Sequence, residues 1–382
     1  MRAAQRLRSR LVGELAESGE LGPDWRDAFS TVPRHCFVPE TVWLDEAGAP
    51  AVLARSESPE RWLEACYADR PLITQLDDGD GSGRGYFSSS ISMPTTVAMM
   101  LAALDPESGG RVLEIGTGTG YNAALLAFRA GTENVTTVEV DPGIAEQARA
   151  ALKATGWPVN VVTGDGTKGH PPGAPYDRVL STASVQRVPY AWVEQTAPGG
   201  RVVTPWGTAF HNGALLHLRV RADGTAAGRF SGNVGFMWLR DQRTPHGAVE
   251  DRVRPEHDYT ESTTGLHPYY ALSNFDASFA IGLRVPAMKS VVVFDDDNPG
   301  SAAYTVYLMD PYVGSWASWR VAPGRDAYTV RQHGPRCLFE ELEDAYRWWL
   351  DAGEPEHTRF GLTVTSDGQT VWLDTPGAPI GT

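Results

Sequence analysis

The spacing of apolar residues changes along the chain, and each period predicts an element. Leu7, Leu11 and Leu15 recur every four residues, which predicts a first helix within residues 1 to 19. A second short helix is expected from Pro23, followed by a Pro-bounded loop, TVPRHCFVPE, at 31 to 40. Residues 41 to 90 are rich in Gly, Ser and Asp and end in DDGDGSGRGYFSSS, which predicts an irregular, mobile surface loop. From Pro94 the pattern becomes regular: TTVAMMLAAL (95 to 104) as a helix, RVLEIG (111 to 116) as a short buried strand, and GTGTGYNAALLAFRAG as a glycine loop entering a helix.

The same alternation continues downstream. NVTTVEVD, NVVTGDG, YDRVLSTAS and RVVTPWG are expected strands, with helices over GIAEQARAALKATG and VPYAWVEQTAPGG. Strand, helix, strand at this spacing means parallel pairing with right-handed crossovers. ALLHLRVRADGTAAGRFSGNVGFMWL reads as an antiparallel hairpin turning at Ala-Asp-Gly. The expected fold class is α/β, with a doubly wound, mostly parallel sheet. After about residue 242 the rhythm breaks into a polar linker, mixed strands and an aromatic helix, LFEELEDAYRWWLDAG, ending in the strands RFGLTVTSDG and QTVWLD. Two domains are expected, 1–242 and a C-terminal α+β domain over 243–382.

Composition narrows the function. With 42% apolar and 21% charged residues the chain is globular in type, and its net charge of -14 argues against nonspecific binding to nucleic acid or anionic lipid. Cys36, Cys66 and Cys337 are odd in number and widely spaced, so neither a disulfide framework nor a metal cluster is expected. The Arg-rich N-terminus has acidic residues and no apolar run, so it reads as a helix and not as a signal peptide. No stretch reaches a membrane span. A cytoplasmic protein is expected.

The candidate chemistry lies at the strand ends. Glu114-Ile115-Gly116-Thr117-Gly118-Thr119-Gly120 connects a strand to a helix, where parallel sheets bind ligands. Glycines there let the backbone approach a ligand that a Cβ would block. The dinucleotide form of this loop needs Gly at 121, and the residue is Tyr121. Glu139, followed by Val140, ends the next strand, 19 residues past Gly120, where a carboxylate can accept both hydroxyls of an unphosphorylated ribose. Asp165-Gly166 ends the third, placed to accept from an adenine amino group.

YFSSSISMPTTVA, VLEIGTGTGYNAALLA, VTTVEVDP, VVTGDG, YDRVLSTAS and APGGRVVTPWG together resemble the protein-L-isoaspartate O-methyltransferase family, over about residues 25 to 240. VPRHCFVP matches a further signature of that family. The resemblance implies a Rossmann-like class I methyltransferase using S-adenosyl-L-methionine. It implies that Ser92 lies beside the transferred methyl and the substrate carboxylate, with Ser90 in the place of a usual Thr. Val32, Phe37 and Thr95 are the candidate substrate-facing residues. The family often has His or Tyr where this chain has Thr95. Ser90 and Ser92 are also candidate caps of the helix that follows.

The extra C-terminal residues are similar to a two-domain actinobacterial branch found with ribosomally made, modified peptides such as lanthipeptides and ATP-grasp-crosslinked peptides. That likeness implies methylation of an Asp side chain, giving an aspartimide or isoaspartate. The alternative is repair of isoaspartyl residues in aged proteins. A binding protein on a decayed methyltransferase scaffold is a third reading, opposed by the intact Gly loop, Glu139, Asp165 and Ser92. In the tail, FDDDNPG (294 to 300) is expected to be an exposed turn rather than a cation site. Trp316, Trp319, Trp348, Trp349 and Trp372 are expected in the core rather than lining a peptide groove. His246, His257, His267, His333 and His357 show no metal spacing.

Overall fold

A computed structural model describes residues 2–46, 49–245, 248–295 and 302–381. Helices α1 (Arg2–Glu17) and α2 (Pro23–Thr31) open the chain. The four-residue spacing predicted for α1 is the buried stripe Ala4, Leu7, Leu11 and Leu15. Next come β1 (Thr41–Glu46), β2 (Ala49–Ala54), α3 (Pro59–Cys66), β3 (Leu72–Leu76) and β4 (Phe87–Ile91). These four strands form an antiparallel sheet in the order β2-β1-β3-β4. The expected irregular loop is therefore largely a sheet. Its strands are only five or six residues long. In β1 only Val42 and Leu44 are buried, so the period-2 signal is one repeat long and easily hidden.

The regular part follows as α4 (Pro94–Leu104), β5 (Val112–Ile115), α5 (Tyr121–Ala130), β6 (Val135–Glu139), α6 (Pro142–Ala154), β7 (Asn160–Thr163), β8 (Tyr176–Ser181), α7 (Tyr190–Glu194), β9 (Thr196–Gly207), β10 (Asn212–Val220) and β11 (Ala226–Ser231). Strands β5 to β9 pair in parallel. All four residues of β5 are buried, as a central strand covered on both faces requires. The helix expected over VPYAWVEQTAPGG ends at Glu194, and Thr196 to Gly200 instead begin β9.

The C-terminal elements are α8 (Val249–Arg252), β12 (Thr260–Thr264), α9 (Phe275–Arg284), β13 (Lys289–Phe294), β14 (Tyr304–Met309), β15 (Trp316–Val321), β16 (Tyr328–His333), α10 (Leu338–Asp351), β17 (Phe360–Thr365) and β18 (Gly368–Leu373). An antiparallel sheet of order β12-β16-β15-β14-β13 lies here. The expected boundary at 242/243 needs correction for the last hairpin. β17 pairs with β11, so β17 and β18 complete a nine-stranded central sheet of order β18-β17-β11-β10-β9-β8-β5-β6-β7. The physical reason is the open edge of β11, whose backbone groups need partners. Helix α9 joins the two parts: Phe279, Ala280 and Leu283 pack with Trp206 and Phe230 of the central sheet, while Ile281 packs with Val306 and Trp319. Trp316, Trp319, Trp349 and Trp372 are buried. Asp296 to Gly300 of the FDDDNPG motif and His246 lie outside the described residues.

Candidate active site

One cleft lies at the carboxyl ends of β5, β6 and β8, with the end of β4 as its opposite wall. It encloses about 920 Å³, a figure that takes in the solvent at its mouth. Gly116, Thr117, Gly118, Thr119, Glu139, Val140 and Gly166 line it, as do Ser90 and Ser92.

The glycines at the floor are required by contact. A Cβ on Gly116 would stand 2.7 Å from Thr182 Oγ1, and Gly116 also has φ +90. A Cβ on Gly166 would stand 2.6 Å from Ile115 Cγ2. Gly120 serves packing instead. It does not line the cleft, and a Cβ there would meet Leu152 at 3.1 Å and Ala148 at 3.5 Å, both on α6.

Glu139 is buried, and its two oxygens accept from Gly118 N (2.9 Å) and Asp141 N (3.1 Å). Burial raises its carboxyl above the ordinary range, against the pull of those two amides. A carboxylate so fixed has lone pairs left for the vicinal hydroxyls of a ribose. Val140, 45% exposed, and Ile144 supply an apolar flank beside it.

Several expected residues are placed elsewhere. Glu114 lies under the floor, fully buried, and does not line the cleft. Its oxygens accept from Asn122 Nδ2 and Thr137 Oγ1, both at 2.6 Å, and Thr137 in turn meets Thr117 Oγ1 at 2.7 Å. Glu114 thus braces the loop through Thr117 and the start of α5 through Asn122. Asp165 caps its own turn, accepting from Thr167 N and Oγ1, and pairs with Lys168. Only its neighbour Gly166 reaches the cleft. Val32 and Phe37 are buried in the core and do not line the cleft, though Phe37 packs on Tyr121, which does, with ring centroids 5.8 Å apart. Thr95 is also displaced: its amide and hydroxyl donate to Asp69 at 2.8 and 2.6 Å, so Asp69 caps α4. Met93 occupies the N-cap with no side-chain bond, so neither Ser90 nor Ser92 caps this helix.

The family-like VPRHCFVP segment contributes a residue that sequence reasoning passed over. Arg34 is fully buried, and its guanidinium donates to four backbone carbonyls: Cys66 (2.5 Å), Arg70 (3.2 Å), Ile91 (3.4 Å) and Ser92 (3.0 Å). It therefore fixes the backbone that carries Ser92. The signal was the motif itself, since an Arg inside an apolar, Pro-bounded segment must find acceptors when buried. The outer wall is Met237-Trp238-Leu239-Arg240 and Arg243, of which the sequence marks only Met237 to Leu239 as a hairpin tail and Arg243 as part of a linker. Ser184 pins it, its amide donating to Met237 O at 2.8 Å and its carbonyl accepting from Leu239 N at 3.0 Å. Arg240 and Arg243 both pair with Asp78, whose loop lies beside the cleft, and Arg240 also reaches Asp141.

The family model "Protein-L-isoaspartate(D-aspartate) O-methyltransferase (PCMT)" matches residues 53–244. A protein-L-isoaspartate O-methyltransferase of Methanopyrus kandleri is 38% identical over 239 residues, covering 62% of this chain and 92% of that protein. One from Anaeromyxobacter dehalogenans is 45% identical over 194 residues, covering 48% of this chain and 87% of that protein. A solved structure titled protein-L-isoaspartate O-methyltransferase shares the fold, with a TM-score of 0.54 at 22% identity, covering 96% of this chain and all of that one. The glycine floor, the tethered Glu139 and the apolar flank of Val140 and Ile144 suit the nucleoside of S-adenosyl-L-methionine. With half of its length matched by that model, the chain belongs to the protein-L-isoaspartate(D-aspartate) O-methyltransferase family, carboxyl O-methyltransferases that use S-adenosyl-L-methionine.

Proposed function

We propose that this enzyme methylates the free carboxylate of an L-isoaspartyl residue in a peptide or protein. The observation that carries the reading is that Ser90 and Ser92 line the same cleft as Gly116 and Gly118, with Arg34 fixing the Ser92 backbone. S-adenosyl-L-methionine, when bound, supplies an electrophilic methyl on a sulfonium. A substrate carboxylate is ionised at neutral pH and needs no general base. Its oxygen lone pair forms the new O–CH3 bond while the C–S bond breaks, and the bond pair stays on sulfur. No proton moves. The chain's part is to hold and aim: Ser92 donates its hydroxyl to the oxygen that does not attack, and Ser90 closes the same edge. Trp238, Met237 and Leu239 line the cleft and supply apolar surface beside both contacts. Glu139 takes the ribose hydroxyls, and Gly116, Thr117, Gly118, Thr119, Val140 and Gly166 form the bed.

A second reading is favoured by one observation, the five-stranded sheet that lies wholly beyond the matched residues 53–244. On that reading the acceptor is an Asp side chain of a ribosomally made modified peptide, and the ester goes on to an aspartimide. The fold likeness over 96% of this chain weighs the other way, since it extends into the C-terminal part of a structure titled protein-L-isoaspartate O-methyltransferase. Methyl transfer to a short isoaspartyl peptide and to its Asp counterpart separates the two, read as base-labile methyl ester. Turnover confined to the isoaspartyl peptide supports the first reading. Turnover of neither, with turnover of a crosslinked Asp peptide, would replace it by the second.

A further inference from the structure

A second recess lies in the C-terminal part, lined by Gly265, His267, Tyr269, Tyr270, Asp326 and Tyr328. Four of these six are aromatic rings, arranged edge to face. His267 meets Tyr328 at 5.3 Å and 82°, and Tyr270 at 6.3 Å and 77°. Tyr270 meets Tyr269 at 5.9 Å and 79°. Near-perpendicular rings form the corners of a box, and part of each corner is a π face. His267 is held in place, since its Nδ1 accepts from Tyr269 N at 3.1 Å. Tyr269 and Tyr270 are 62% and 58% exposed, a costly way to place large rings unless something covers them.

The chemistry of the lining selects the occupant. Ring faces carry negative potential, and the remaining polar side chain is a carboxylate, Asp326. An anion would be repelled by both. A neutral apolar group would leave Asp326 unused. A guanidinium or ammonium satisfies both, and a chain of net charge -14 attracts cations at long range. Among the described residues, the chain's own arginines stack on other rings here: Arg331 on Tyr259 and Arg284 on Trp348.

We propose that this recess is a docking site for a basic side chain, Arg or Lys, of the peptide substrate, remote from the acceptor carboxylate. The identity of the partner as substrate rests on the function proposed above; the preference for a cation does not. The test uses the full chain and two isoaspartyl peptides that differ only in carrying Arg or its neutral isostere citrulline several residues from the acceptor. The Arg peptide should show a KM about tenfold lower at equal kcat. Tyr270→Ala and Asp326→Asn should each erase that difference and leave turnover of the citrulline peptide unchanged. Calorimetry with the same pair, carrying Asn in place of the acceptor, reads the recess without methyl transfer. Tighter binding of the Arg version, lost in Tyr270→Ala, supports the recess even if neither peptide is methylated, in which case the substrate reading is the one that falls. Equal binding of the Arg and citrulline versions overturns the recess.

Discussion

Ser92 and Glu114 both serve the cleft, yet chemistry asks different things of them. Ser92 is half-buried at the cleft wall, and its own carbonyl is held by Arg34. Ser92→Ala should lower kcat by about 10- to 100-fold, the scale of a lost orienting contact, with the dissociation constant for S-adenosylhomocysteine unchanged. Single-turnover rates and calorimetry check both halves; unchanged turnover would remove the serine from the mechanism. Glu114 is a buried brace, and burial pushes its carboxyl from the ordinary 4.5 up to about 7, against the hydrogen bonds from Thr137 and Asn122. Between those two values the folded chain keeps a proton that the unfolded chain has lost. Stability therefore falls as pH rises through that window and is level above it, by at most about 3 kcal/mol. Glu114→Gln carries no charge, and Asn122 and Thr137 can each turn to meet its amide. Its thermal midpoint should match or exceed the parent's at pH 8, with the gap closing toward pH 5. A parent that gains stability on going from pH 5 to 8 would contradict the sign.

At the scale of elements, what the sequence announced and what it concealed divide by range. The glycine loop, β6 ending at Glu139 and the capped start of α6 at Asp141 were legible because each depends on neighbours a few residues away. The loop from Asp77 to Tyr86 was not. Its glycines 79, 81, 83 and 85 all have positive φ, which reads as disorder in sequence. In the structure Asp77 closes it by accepting from Gly85 and Tyr86 amides, and Asp78 is held by Arg240 and Arg243, more than 150 residues away. Burial works to raise the Asp78 carboxyl, and the hydrogen bonds from Arg243 and Tyr86 overcome it, so it stays below the ordinary value. This is a latch beside the cleft mouth. Asp78→Asn should speed release of S-adenosylhomocysteine several-fold, since ion pairs this sheltered contribute more than exposed ones. Stopped-flow displacement measures it, and an unchanged off-rate would make the latch irrelevant to exchange. Thr95 and Asp165 each have a polar partner in the structure. Thr95 meets Asp69, 26 residues away, which sequence position does not reveal, whereas Asp165 turns to Thr167 only two residues on, a local cap that was legible.

For the whole molecule, the α/β class and the succession of strands and helices from β5 to β11 followed from periodicity, but the β1–β4 sheet and the division into parts did not. A hairpin at 360–373 looks the same in sequence whether it ends its own sheet or extends another. Only the open edge of β11 and the two-sided helix α9 decide it. A chain cut after residue 242 should thus lose Phe279, Leu283, Trp349 and Phe360 from the central core and expose β11. It should be insoluble or show no cooperative melting, whereas a free-standing methyltransferase domain would melt cooperatively; circular dichroism distinguishes them. The central claim concerns where the cofactor lies, and a crystal structure with S-adenosylhomocysteine tests it most directly. The account predicts ribose hydroxyls on the Glu139 carboxylate, the homocysteine chain over Gly116 to Gly118, and the sulfur facing the Ser90–Ser92 edge. A nucleoside bound away from Glu139, or a sulfur turned from those serines, would contradict it.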